Sequence, residues 1–98
     1  MLIRSQDKRI LINMNNVSRL EMSGDGLRIF ADNGRTIFYG IGEYSTKAKA
    51  MKVLDMIQEA YSEYQIMLNF SVSYLHEFKE KTDGFAIFQM PDDSEVEV

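Results

Sequence analysis

The chain has no cysteine and no tryptophan, and only one proline and one histidine. Without cysteine there is no disulfide framework, no thiolate zinc site, no iron–sulfur cluster and no thiol nucleophile. A single imidazole excludes sites built from several histidines. The lone His76 sits in a polar-flanked segment, where a solvated side chain is expected. A Ser–His–acid arrangement is set by the fold and not by the chain order, but no serine or acid is singled out for one. No apolar run approaches the ~20 residues of a membrane span. The opening Met1-Leu2-Ile3-Arg4 turns polar at once, unlike a secretory leader.

What is present is ordinary for a globular chain: 98 residues, 45% hydrophobic and 27% charged. That length suits one domain. The pattern predicts a single α+β domain over residues 1–91, followed by a mobile acidic tail over 92–98.

Charge is split along the chain. Residues 1–52 hold nine basic and five acidic side chains, and residues 53–98 hold two and ten. Such a split suits a basic nucleic-acid face with an acidic tail, or two ends that attract each other within the chain or between copies. The structural readings are favoured, because acidic surface on one small domain repels phosphate.

The first 41 residues read as a β-meander, with short Ile-, Val-, Phe- and Leu-rich runs between turn clusters. A hairpin centred on Asp7-Lys8 pairs Ile3 with Ile12 and Ser5 with Ile10. Asn33-Gly34 suits a two-residue type I′ turn. That turn sets Asp32 against Arg35, Phe30 against Ile37, Ile29 against Phe38 and Arg28 against Tyr39. Closing the preceding hairpin over residues 23–26 sets Met22 against Leu27, Glu21 against Arg28 and Leu20 against Ile29. Alternation then sorts the side chains into two faces. Ser18, Leu20, Met22, Leu27, Ile29, Ala31, Thr36 and Phe38 form an uncharged face, expected to be core. Val17, Arg19, Glu21, Arg28, Phe30, Asp32, Arg35, Ile37 and Tyr39 form a charged face. On it Glu21–Arg28 and Asp32–Arg35 are expected as cross-strand pairs worth roughly 0.2–1 kcal/mol each. Phe30, Ile37 and Tyr39 make an apolar cluster on that charged face.

The period changes after Gly42. Ser45-Thr46 offers an N-cap to a helix whose apolar stripe is Ala50, Val53, Leu54, Ile57, Ala60, Tyr61 and Tyr64. Burying Val53, Leu54, Ile57 and Tyr61 is worth roughly 1.5–3 kcal/mol each before entropy. Met51 and Met56 lie beside the stripe. Lys47, Lys49 and Lys52 stand near the positive end of the helix dipole, where they oppose it. A break is expected near residues 64–66, then a second element that turns helical. Phe85–Met90 reads as a strand apolar on both faces, hence flanked by partners, and Pro91 ends it.

No motif for chemistry stands out. The Gly40-Ile41-Gly42 entry to the helix lacks the phosphate-loop spacing. The carboxylates after Pro91 lack the enclosure that acid–base work needs and the spaced ligands of a calcium loop. Catalytic residues, metal ligands and cofactors are therefore all expected to be none.

Met1-Leu2-Ile3-Arg4-Ser5-Gln6-Asp7, Leu11-Ile12-Asn13-Met14-Asn15-Asn16-Val17, Tyr44-Ser45-Thr46, Lys52-Val53-Leu54-Asp55-Met56-Ile57 and Phe88-Gln89-Met90-Pro91-Asp92 together resemble a group of small uncharacterised proteins of Gram-positive bacteria and their phages or prophages. The likeness spans the chain apart from roughly residues 62–84. It implies a cytoplasmic, phage-derived accessory protein, and it carries over no catalytic residue.

The sequence thus predicts an antiparallel sheet of five or six strands crossed by one amphipathic helix, with a pleckstrin-homology-like small barrel as a variant. The expected function is a non-enzymatic module that binds itself or another protein. Its expected surface is Phe30, Ile37 and Tyr39 with Arg19 and Arg28. The alternative is weak single-stranded nucleic-acid binding by the same arginines and aromatics.

Overall fold

The computed structural model describes residues 1–35, 38–68 and 87–98. These hold six strands, β1 (Leu2–Arg4), β2 (Leu11–Asn13), β3 (Arg19–Met22), β4 (Arg28–Asp32), β5 (Phe38–Glu43) and β6 (Ile87–Gln89), and one α-helix, α1 (Lys47–Leu68). The fold is α+β, as expected. The strands form two three-stranded sheets, in the orders β2-β1-β6 and β3-β4-β5, and not one meander or a closed barrel.

The split has a local cause. At the end of β2 the Asn13 side chain accepts the Asn15 N–H and caps a 3₁₀ turn over Met14–Asn16. That turn carries the chain out of the first sheet, so β2 and β3 belong to different sheets. The strand β6 lies parallel to β1, with Ile3 beside Phe88, because the chain has crossed over through α1 before reaching it. Among the described residues β6 pairs with β1 alone, and Ile87 is 45% exposed.

The sheets are joined at one corner by Gln6. Its backbone N–H donates to the Ile41 carbonyl (2.8 Å). Its side chain accepts the Glu43 N–H (2.9 Å) and donates to the Glu43 carbonyl (3.0 Å). The edge of β5 is thereby occupied by polar partners from the end of β1.

One core serves every element. Ile3, Ile29, Ala31, Ile41, Ala50, Val53, Ile57 and Met90 are buried in a single cluster. Leu20, Met22, Leu54, Ala60, Tyr61 and Tyr64 pack on it partly buried. The expected helix stripe is therefore the packed one. The helix runs unbroken through residues 64–66 as far as Leu68, because nothing in that stretch forbids helical backbone. The expected second element beyond it, His76, Phe85 and Ala86 lie outside the described residues.

The acidic segment after Pro91 is folded and not a solvated tail. Asp92 and Glu95 make a reciprocal capping box around a 3₁₀ turn over Asp93–Glu95. Val96, 5% exposed, then enters the core. A valine among four acids offers too little periodicity to reveal this in advance.

Candidate functional site

The faces of the sheet β3-β4-β5 decide which side chains can meet another molecule. The first turn in this sheet places Ser23 opposite Arg28: the Ser23 N–H donates to the Arg28 carbonyl (2.9 Å). Asp25 accepts the Leu27 N–H (3.0 Å) and the Ser23 hydroxyl. Met22 therefore faces Ile29, Leu20 faces Ala31, Glu21 faces Phe30 and Arg19 faces Asp32. The slip from the expected pairing is two residues. An even slip keeps every side chain on its expected face.

The second turn differs more. Gly34 has a positive φ of 82°, whereas Asn33 has none, so the two residues do not form a type I′ turn. Side chains shape the bend instead. Asp32 Oδ1 accepts the Gly34 N–H (2.8 Å), and Asn33 Oδ1 accepts the Arg35 N–H (2.9 Å), two successive Asx turns. The connection lengthens, and Asp32 now faces Phe38, Ala31 faces Tyr39 and Phe30 faces Gly40. This slip is three residues, so it exchanges the faces of Phe38 and Tyr39. A bulge at Ile29/Phe30 then sets Ile29 against Gly42 and Arg28 against Glu43.

The outer face accordingly carries Arg19, Glu21, Arg28, Phe30, Phe38 and Glu43. Phe38, expected in the core, is 53% exposed. Tyr39 shares the side of Ala31 and is 39% exposed at the strand edge, so it does not join Phe30 opposite Arg28. Ile37 and Thr36 lie outside the described residues. Of the five expected surface residues, Phe30, Arg19 and Arg28 are brought together on one face. Phe38 is the one that sequence reasoning missed there. The signal was Asp32-Asn33, two residues able to bend the backbone with their own side chains.

The expected ion pairs are exchanged for others. Arg19 Nε lies 3.1 Å from Glu21 and 3.2 Å from Asp32, whose side chain is nearly buried. Arg28 Nε lies 3.6 Å from Glu43, with both groups more than half exposed, a pair worth ~0–1 kcal/mol. Beside this pair the surface dips into an open depression between the sheets, lined by Ser5–Asp7, Arg28, Phe30 and Gly40–Glu43. The Phe30 ring lies over Gly40, where an added Cβ would come within 3.4 Å of it. Asp7 borders the depression, and hydrogen bonds from the Ser5 hydroxyl and the Arg9 N–H hold its carboxyl below the usual range. A second, more polar depression is lined by Asn15–Ser18, Asn33 and Arg35.

The entry to α1 holds a carboxylate of the chain's own. Asp93 Oδ1 accepts the Ser45 N–H (2.7 Å), and Thr46 Oγ1 accepts the Lys49 N–H (3.2 Å) as the N-cap. Lys49 Nζ donates to the Asp93 carbonyl (2.9 Å) and lies 3.4 Å from its carboxylate. The carboxylate at the positive helix end answers both the dipole and the misplaced lysine. The Ser45 N–H above all, and then Lys49, hold the Asp93 carboxyl below its usual range.

Among the described residues no group of three or more His, Asp or Glu side chains is placed to hold a metal ion. No helix among them is long and apolar enough to cross a membrane. Comparison with models of protein families, with curated proteins and with solved structures finds no match for this chain.

Proposed function

We propose that this chain is a non-enzymatic accessory protein, of the phage- or prophage-derived kind its sequence resembles, and that it works as a protein-interaction module. Its contact surface is the outer face of β3-β4-β5, with Phe30 and Phe38 as apolar anchors and Arg19 and Arg28 beside them. The observation that carries this reading is Phe38. A phenyl ring 53% in water on a face that also holds Phe30 costs hydration free energy that a partner's surface would recover.

The nucleic-acid alternative is disfavoured by the same geometry. Both arginines of the described face are held by carboxylates. A strand of phosphates would have to displace those carboxylates and then lie against them.

Selection of random peptides on the immobilised protein tests the reading. The expected result is a consensus whose binding is lost in Phe38→Ser and reduced in Arg28→Glu. A consensus indifferent to both substitutions, or the absence of any consensus, overturns this face. A fluorescence-anisotropy titration with oligothymidylate at low salt is expected to show no binding.

A further inference from the structure

Phe38 and Gly40 lie two residues apart on the same side of β5, roughly 6.6 Å along the strand. The first is a half-exposed ring and the second lines the depression beside Phe30. A projection and a recess on one face fit a second copy of that face turned through a two-fold axis, because each ring then meets the other's recess.

The charges on the face allow the same operation. Arg19 and Arg28 are interspersed with Glu21 and Glu43. A face of one sign would repel its own image, whereas a mixed face can meet it with opposite signs. The Arg28–Glu43 pair is long and exposed, so it can exchange partners across an interface at little cost.

We propose that the partner on this face is a second copy of this chain, in an isologous dimer in which Phe38 of each copy enters the other's depression against Phe30 and Gly40. The proposal rests on the interaction reading above and names its partner. A face three strands wide is narrow beside the interfaces of tight complexes, so the association is weak and shows only at high concentration.

Sedimentation equilibrium on the full chain, from micromolar to about millimolar concentration, tests it with three samples besides the wild type. Phe38→Ser removes the projection, and Gly40→Leu fills the recess. Each is expected to weaken self-association roughly tenfold or more. An equimolar mixture of the two variants pairs an intact ring with an intact recess once per dimer. It is expected to associate more tightly than either variant alone. Phe38 is exposed, so its serine variant keeps the test informative if Gly40→Leu fails to fold, which circular dichroism reveals. A wild type that stays monomeric throughout, a Phe38→Ser variant that associates like the wild type, or folded variants whose mixture gains nothing each overturns the dimer. Loss of the dimer with a Phe38-dependent peptide consensus retained removes the second copy as partner while keeping the interaction face. Loss of both removes the face.

Discussion

The two halves of α1 are built from similar residues and are held very differently. The first half is capped by Thr46, closed by Asp93, and buries Ala50, Val53 and Ile57. The second half buries no residue completely, and Ile66 and Leu68 are half exposed or more. Helices of this kind take most of their stability from packing and not from propensity. The contrast therefore predicts a gradient of stability along one continuous element, steepest just after Ile57. All of the helix's fully buried residues fall in its first three turns, and Ala60, Tyr61 and Tyr64 beyond them pack on the core only in part.

The largest expected effect breaks that contrast at its centre. Ile57→Ala removes a buried side chain from the cluster formed by both sheets and should destabilise the protein by roughly 2–5 kcal/mol. Ile66→Ala, nine residues further along, should stay within about 0.5 kcal/mol, because it loses little burial and gains helix propensity. Denaturant titration of both variants measures the difference. Equal losses at the two positions would mean that the helix is held evenly, contrary to the burial pattern.

The next effect is expected at the cap. Thr46→Ala leaves the Lys49 N–H without its acceptor and should cost roughly 0.5–2 kcal/mol. Amide hydrogen exchange should quicken in the first turn of α1 and leave the turns beyond Ile57 as they were. Quickening along the whole helix would show one cooperative unit instead of two unequal halves.

The same unevenness marks what the sequence disclosed. The first hairpin was legible in full, with Ile3 against Ile12 and the Ser5 N–H bonded to the Ile10 carbonyl (2.9 Å). There the apolar alternation and the turn agree. The helix stripe was legible because its period repeats over about four turns, from Ala50 to Tyr64. The outer face was only half legible. At residues 23–26 the error was even and harmless, whereas at Asn33-Gly34 it was odd and moved Phe38 from core to surface. Register hangs on the turn, and a turn bent by its own Asp and Asn side chains is not distinguished by composition from one bent by backbone alone. The division into two sheets and the burial of Val96 were not legible. The first turns on a single side-chain cap, Asn13 over Met14–Asn16, and the second on contacts between residues more than 40 positions apart, such as Asp93 with Ser45.

A smaller effect is expected where the C-terminal segment meets the entry of α1. Tyr44 is buried, and its hydroxyl donates to the Pro91 carbonyl (2.9 Å). Burial first, and then the carboxylates of Asp92, Asp93 and Glu95, push the phenol far above its ordinary value near 10. The folded state therefore keeps a proton that the unfolded state loses. The stabilisation is complete below pH 10 and declines as pH rises above it. Tyr44→Phe should cost roughly 0.5–1.5 kcal/mol at neutral pH. The lower end is favoured because the Pro91 carbonyl also accepts from Gln6 Nε2 (3.2 Å). The variant should also lose part of the alkaline decline seen in the wild type. An unchanged alkaline limb would place that decline elsewhere.

The smallest effect separates the acid behaviour of the closed helix end from that of the rest. Asp93 is partly exposed, and the Ser45 N–H and Lys49 hold its carboxyl below the ordinary carboxylate value near 3.8. A depressed value means that the unfolded chain takes up the proton first. The stabilisation is therefore present above pH 4 and is lost as pH falls through the carboxyl's folded value. Asp7 and Asp25 are depressed in the same direction by Ser5 and Ser23, so the wild-type acid limb is a composite of three turns. Asp93→Asn keeps the shape, can still accept the Ser45 N–H, and removes the charge. Its stability at pH 7 should fall slightly, and the difference from the wild type should vanish once the pH is below the carboxyl's folded value. No difference at pH 7 would mean that Asp93 holds the helix end through its shape and hydrogen bond alone. The helix dipole and Lys49 would then contribute nothing to the contrast between the two halves of α1.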